Sequence, residues 1–181
     1  VGPGYAANRP QQPVTRITWN QAKEFCRVVS ERCGVTLDLP TEAQWEWACR
    51  AGSNTDFWYG DLNTDFAKME NLADYQLRKM AVHGIDPQPV AEGTWVYKYY
   101  TFMPREDSVN DGTMTIADVK QYTPNAWGLY DMHGNVAEFT RSTYAPYPYK
   151  EKVADGELKV VRGGAWNYRP KNSTAYSRAS Y

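Results

Sequence analysis

The sequence predicts a loop-rich α+β fold with low regular secondary structure, on three observations. Two segments with helical apolar spacing and helix-capping residues fall within the first 52 residues. From Ser53 to Asn125 that period disappears into Gly, Asp, Asn, Pro and Tyr. Short β-favouring runs occupy residues 94–101 and 158–162. Helices first, then long irregular stretches and short strands, is the α+β order.

The elements follow in chain order. Residues 1–10, VGPGYAANRP, read as loop. The spacing predicts a first helix over 20–33, with Ala22, Phe25, Cys26 and Val29 on one face, Thr18 or Asn20 as its cap and Gly34 just past its end. A second helix starts at Thr41, because Thr41-Glu42-Ala43-Gln44 is a capping box: the Thr oxygen takes an early amide and Gln44 reaches back. Trp45, Ala48 and Cys49 then face inward, and Gly52 ends the helix. Residues 94–101 carry Trp95, Val96, Tyr97, Tyr99 and Tyr100, residues that suit a pleated, half-buried surface. The run 158–162 ends at Gly163-Gly164, and residues 144–149 (TYR-rich YAPYPY) read as an ordered surface loop. Phe25, Trp45, Ala48 and Trp127 are the expected core.

Composition bounds the function. The 181 residues suffice for one domain with its own core, and 42% apolar with 23% charged residues is a globular composition. A net charge of -1 gives no reason to expect nucleic acid or an anionic membrane as partner. No apolar stretch approaches the roughly 20 residues of a membrane span. Aromatic content is 14%, with seven Trp and fourteen Tyr, which suits an irregular core filled by large rings. Cys26, Cys33 and Cys49 are an odd number without a close pair, and only two His are present, so the expectation is buried thiols, or disulfides with partners outside this segment, rather than zinc.

Oxygen ligands are better placed. Asp131 and Glu138 bracket Gly134, a spacing that serves either a calcium turn, with carbonyls from Gly134 and Val136, or a solvated turn whose carboxylates cap amides. His133, without a partner His or Cys, reads as a hydrogen-bonded or exposed turn residue. Arg162, Arg169 and Arg178 with Trp166 and Tyr168 suggest either core salt bridges and stacking, the preferred reading, or an anion- or sugar-binding cleft; Trp166, Tyr168 and Arg169 are its candidate ligand-binding residues.

Four segments, in order, carry a resemblance: Ile17-Thr18-Trp19-Asn20-Gln21-Ala22 followed by Phe25-Cys26; LPTEAQWEWACRAG at 39–52; PNAWGLYDMHGNVAEFT at 124–140; and VVRGGAWN at 160–167. Together they resemble the formylglycine-generating-enzyme (sulfatase-modifying-factor) family. The resemblance implies a variant of the C-type lectin fold with bound structural calcium, over one domain at 1–181 that lacks part of its N-terminal and C-terminal segments. It implies calcium ligands at Asp131, Gly134, Val136 and Glu138, and a second set at Asn71, Leu72, Asp111 and Thr113, where the stretch between Leu72 and Asp111 is longer than the family's.

The family's oxidases bind copper through two cysteines after a Gly-Gly-Ser segment. Here the matching positions are Tyr168 and Ser173, the serine is Ala165, a tryptophan of the third motif is Ala137, and no cysteine follows Cys49. Soft copper(I) selects thiolates, so no copper and no formylglycine chemistry are expected. The expectation is a non-catalytic binding or scaffold protein, extracytoplasmic (periplasmic, outer-membrane-associated or secreted), similar to gliding and type IX secretion lipoproteins, with a protein partner in a cell-envelope assembly or another ligand. The alternative is a formylglycine-generating oxidase, or the second domain of an iron-dependent sulfoxide synthase.

Overall fold

A computed structural model describes residues 9–83, 86–89, 104–147 and 158–181. Helix α1 spans Trp19–Cys33 and α2 spans Glu42–Arg50. Both start at capping boxes, Thr18 with Gln21 and Thr41 with Gln44. Gly34 closes α1 in the left-handed conformation, as its position predicts. Helix α2 ends one residue earlier than expected: Ala51 takes the left-handed cap at φ 45°, and Gly52 follows at φ 95°.

A hairpin of β1 (Met80–His83) and β2 (Asp86–Pro89) follows a 3-10 turn at Tyr75–Lys79. The second sheet orders β3 (Glu138–Thr143), β4 (Lys159–Arg162) and β5 (Ala179–Ser180), all antiparallel. Strand β4 is the expected one. Strand β3 shows no apolar alternation because its buried residue is Thr140, whose hydroxyl donates to the Val160 carbonyl at 2.9 Å. The expected strand at 94–101 lies outside the described residues, as do the last two residues of the 144–149 run.

The core is divided among small clusters bound by loops. Trp45, Cys49, Met132 and Ala175 form one, with Trp58 against it. Phe66, Leu72 and Val109 form another under Tyr59, and Ala73 with Leu77 a third under Met114 and Trp166. Trp45 is buried as expected and Ala48 is half-buried. Two expected core residues are not. Phe25 is 66% exposed. The body covers only the edge of α1 that carries Ala22 and Cys26, and Phe25 stands about 100° from Cys26 around the helix. Trp127 is 45% exposed and meets the exposed Trp47 edge to face, with ring centroids 4.3 Å apart. The buried anchor of that turn is Asn125: its Oδ1 accepts from the Trp127 and Leu129 amides, and its Nδ2 donates to the Ala48 carbonyl.

Candidate metal sites

The Asp131–Glu138 turn is built from backbone that few side chains tolerate. Asp131, Gly134 and Asn135 all have φ between 55° and 70°. Gly134 is required: a Cβ there would lie 2.1 Å from the Asn71 carbonyl oxygen. Its amide donates to the Gly163 carbonyl at 2.8 Å, and the Asn135 amide donates to the Asn71 carbonyl at 2.8 Å. The two predicted ligand sets therefore touch along one seam, residue 71 against residues 134–135.

Asp131, Val136 and Glu138 line one open cavity of about 360 Å³, together with Asn135, Lys120 and Tyr130. Gly134 is not among the residues that line it. One Asp131 oxygen, Oδ2, accepts from the Lys120 amide at 3.2 Å; the other, Oδ1, is buried without a partner. Glu138 accepts from Trp45 Nε1 at 2.5 Å. Burial, opposed by the Trp45 bond and reinforced by the Asp131 charge, holds the Glu138 carboxyl above its ordinary range. Burial also raises Asp131. Fully buried Glu70 lies near both: burial lifts it well above the usual carboxylate range, and the charges of Asp131 and Glu138 add to the shift. Glu70 is buried, whereas Asp131 and Glu138 are half-buried at the open cavity, so a cation bound there would favour the ionised form of the two lining carboxyls.

The second set converges as well. Leu72 donates its amide to Asp111 Oδ2 at 3.1 Å, and Thr113 donates its amide to Asp111 Oδ1 at 2.7 Å. Asn71 is buried; its Nδ2 donates to the Thr115 carbonyl at 2.6 Å and to Asn135 Oδ1 at 3.2 Å. Those two acceptors fix which end of the amide is nitrogen and leave Asn71 Oδ1 buried and unpartnered. Burial, with Asp74 as the next cause, pushes Asp111 up to about 7. Each predicted set thus contains one orphaned buried oxygen beside a carboxylate with a raised pKa, and this fits a hard divalent cation. Among the described residues, no three His, Cys, Asp or Glu side chains gather as a metal-holding group, so an ion at either set would depend on amide and carbonyl oxygens too.

The other candidates divide. Trp166 packs against the Ala73–Leu77 cluster, Tyr168 accepts from the Ala73 amide through its carbonyl at 3.0 Å, and Arg169 precedes the 3-10 turn Pro170–Asn172. None of the three lines the 360 Å³ cavity or a 620 Å³ groove beside α2. Arg162 and Arg178 follow the preferred structural reading. Arg162 is buried over the Trp45 ring and bonds Glu42 at 2.9 Å and Glu46 at 2.7 Å; Arg178 bonds Glu42 and stacks on Tyr144 and Tyr147. Glu42 sits in the capping segment, where an acid reads as an exposed first-turn residue, so sequence gave no sign of its burial.

His133 is fully buried, and Cys49 Sγ lies 3.4 Å from its Nε2. This pair is not an activated nucleophile. The Trp58 amide donates to Nε2 at 3.3 Å and Nδ1 bonds the Ser173 carbonyl at 2.7 Å, which fixes a neutral ring, and burial lowers His133 to about 4. Burial raises the Cys49 thiol far above its ordinary value. All three cysteines are free, Cys26 and Cys49 buried and Cys33 exposed. At the two positions that match the copper cysteines, Tyr168 is exposed and Ser173 is fully buried. Among the described residues, no helix is long and apolar enough to cross a membrane.

Comparison with known proteins agrees with the motifs. The sulfatase-modifying factor enzyme 1-like domain model matches residues 3–181. The chain is 29% identical over 168 residues to inactive C-alpha-formylglycine-generating enzyme 2 of Bos taurus, covering 92% of the chain and 42% of that protein. It is 28% identical over 167 residues to the formylglycine-generating enzyme of Streptomyces coelicolor, covering 87% and 43%. The structure of PvdO from Pseudomonas aeruginosa superposes with a TM-score of 0.66 at 24% identity, covering 96% of this chain and 57% of that one. The chain spans less than half the length of these two curated relatives.

Proposed function

The chain belongs to the sulfatase-modifying factor enzyme 1-like family and has its loop-rich α+β fold, and within that family we propose that it is a non-catalytic binding or scaffold protein held together by structural calcium. The observation that carries the first part is the pair Tyr168 and Ser173 at the positions matching the copper thiolates. A phenol and a buried hydroxyl do not supply the soft ligands that copper(I) selects. The remaining thiols offer no substitute: Cys49 is sealed in the core with its thiol held protonated, while Cys26 and Cys33 lie on α1. Overall identity does not separate the readings, because inactive and active relatives match at 29% and 28%. The residues at the site favour the non-catalytic reading.

Calcium would be held by the Asp131 and Glu138 carboxylates with carbonyls of Gly134 and Val136, and by Asn71 and Asp111 with carbonyls of Leu72 and Thr113. The orphaned Asp131 Oδ1 and Asn71 Oδ1 support both assignments. Such ions would supply cross-links for long loops that lack disulfides among the described residues. Structural calcium suits a location outside the cytoplasm, in the periplasm, at the outer membrane or in secreted form, and the likeness of GNVAEFT to gliding and type IX secretion lipoproteins favours a protein partner in the cell envelope. The test is direct: with copper(I) and a cysteine peptide of sulfatase sequence, the protein is expected to form no formylglycine. Conversion in proportion to enzyme, lost on Tyr168→Ala or Ser173→Ala, would show the oxidase reading to be correct.

A further inference from the structure

The second ligand set is split by a long excursion of the chain: Asn71 and Leu72 lie before it, Asp111 and Thr113 after it. Something must hold its two ends in register, because a site whose ligands come from distant segments carries a loop-closure cost. The backbone does part of this. Glu106 donates its amide to the Ala73 carbonyl at 2.8 Å, Tyr75 donates to the Val109 carbonyl at 3.0 Å, and Asp74 bridges Glu106 in parallel fashion.

Side chains do the rest: Gln76 Nε2 donates to Asn110 Oδ1 at 2.8 Å, Arg78 pairs with Asp107 at 2.8 Å, and Asp74 is the one that reaches the backbone of a proposed ligand. Asp74 is fully buried at the base of the excursion, and its carboxylate spans it. Oδ1 accepts from the Gln76 amide on the near side at 2.8 Å, and Oδ2 accepts from the Asp111 amide on the far side at 2.6 Å. Asp111 in turn accepts from the Leu72 amide. The result is a two-step relay: Asp74 holds the backbone of Asp111, and Asp111 holds the backbone of Leu72, the residue after Asn71 with its orphaned oxygen. We propose that Asp74 is the positioning residue of the second calcium site, holding Asp111 and Leu72 in register across the excursion without itself binding the ion. This role rests on the calcium reading above. Partners that orient metal ligands typically change affinity about 10–100-fold when replaced.

The test is calorimetric titration of calcium into the chelator-stripped full chain, wild type and Asp74→Asn. The wild type is expected to bind two ions. Asn replaces one carboxylate oxygen with a donor facing a backbone donor, so the second site should weaken at least about tenfold, while the Asp131–Glu138 site stays within about threefold and serves as the check on folding. Should Asp74→Asn lose both sites, Gln76→Pro replaces it, compared with Gln76→Ala: both lose the side-chain bond to Asn110, only the proline loses the amide that Asp74 accepts, and second-site affinity should fall severalfold from the alanine to the proline variant. Two-site binding unchanged in whichever variant is folded overturns the role of Asp74 alone. A wild type that binds no calcium overturns the calcium reading and this role with it.

Discussion

Replacing Glu42 by Gln should destabilise the protein far more than replacing Glu46 by Gln, although both carboxylates bond the same guanidinium. The Arg162 side chain is 0% exposed, and the side chains of Glu42 and Glu46 are 10% and 32% exposed. Glu42 also bonds Arg178, which is itself nearly buried. An amide at position 42 keeps the shape, removes the charge and turns a donor toward two guanidinium groups. Removing one partner of a buried pair costs about 3–5 kcal/mol; the lower end applies here, because Arg162 keeps Glu46 and the Ala175 carbonyl. Glu46 is partly solvated, so Glu46→Gln should cost no more than about 1 kcal/mol. Arg162 leads directly into Gly163, whose carbonyl receives the Gly134 amide, so this loss should reach the Asp131–Glu138 turn. Urea denaturation of both variants, compared at equal m-value, gives the difference. A loss for Glu42→Gln within about 0.5 kcal/mol of that for Glu46→Gln would refute the burial argument.

Other expectations follow from the same geometry. Gly134→Ala combines a left-handed φ of 70° with a clash on the Asn71 carbonyl and should cost at least about 2 kcal/mol more than Gly112→Ala, which has φ 83° but open space; chemical denaturation of the two measures this. Phe25→Ala should cost less than about 1 kcal/mol, since Phe25 is exposed and Ala favours the helix; a loss of 3 kcal/mol or more would place Phe25 in the core. In chelator, stability should fall by about 1 kcal/mol as pH rises from about 6.5 to 8, because Asp111, raised to about 7 in the folded state, then loses a proton that the unfolded chain has already released. Saturating calcium should suppress that fall, and melts across pH with and without calcium test the sign.

The helices were legible because capping chemistry is local: Thr18 with Gln21 and Thr41 with Gln44 each act within four residues. The two proposed calcium sets were reached only through motif resemblance, and the structure brings their segments together along the seam between Asn71 and Asn135. Burial around α1 was not legible, since the spacing of Phe25 and Cys26 says which residues share a face and not how much of that face is covered. Strand β3 escaped because its inward residues are polar and satisfied by partners distant in sequence, Thr140 by Val160 and Glu138 by Trp45. Asp74 gave no signal for the same reason: its partner amide lies 37 residues away.

In the proposed function, calcium is a structural element of a non-catalytic domain. Thermal melts of the wild type and Glu138→Gln, each in calcium and in chelator, test it most directly. Calcium at a hundred times its dissociation constant should add about 2.7 kcal/mol per site, roughly 5–10 °C for each site in a chain of this size, and Glu138→Gln should lose one site's share of the rise while melting like the wild type in chelator. A wild-type melting temperature that chelator leaves unchanged would contradict the account.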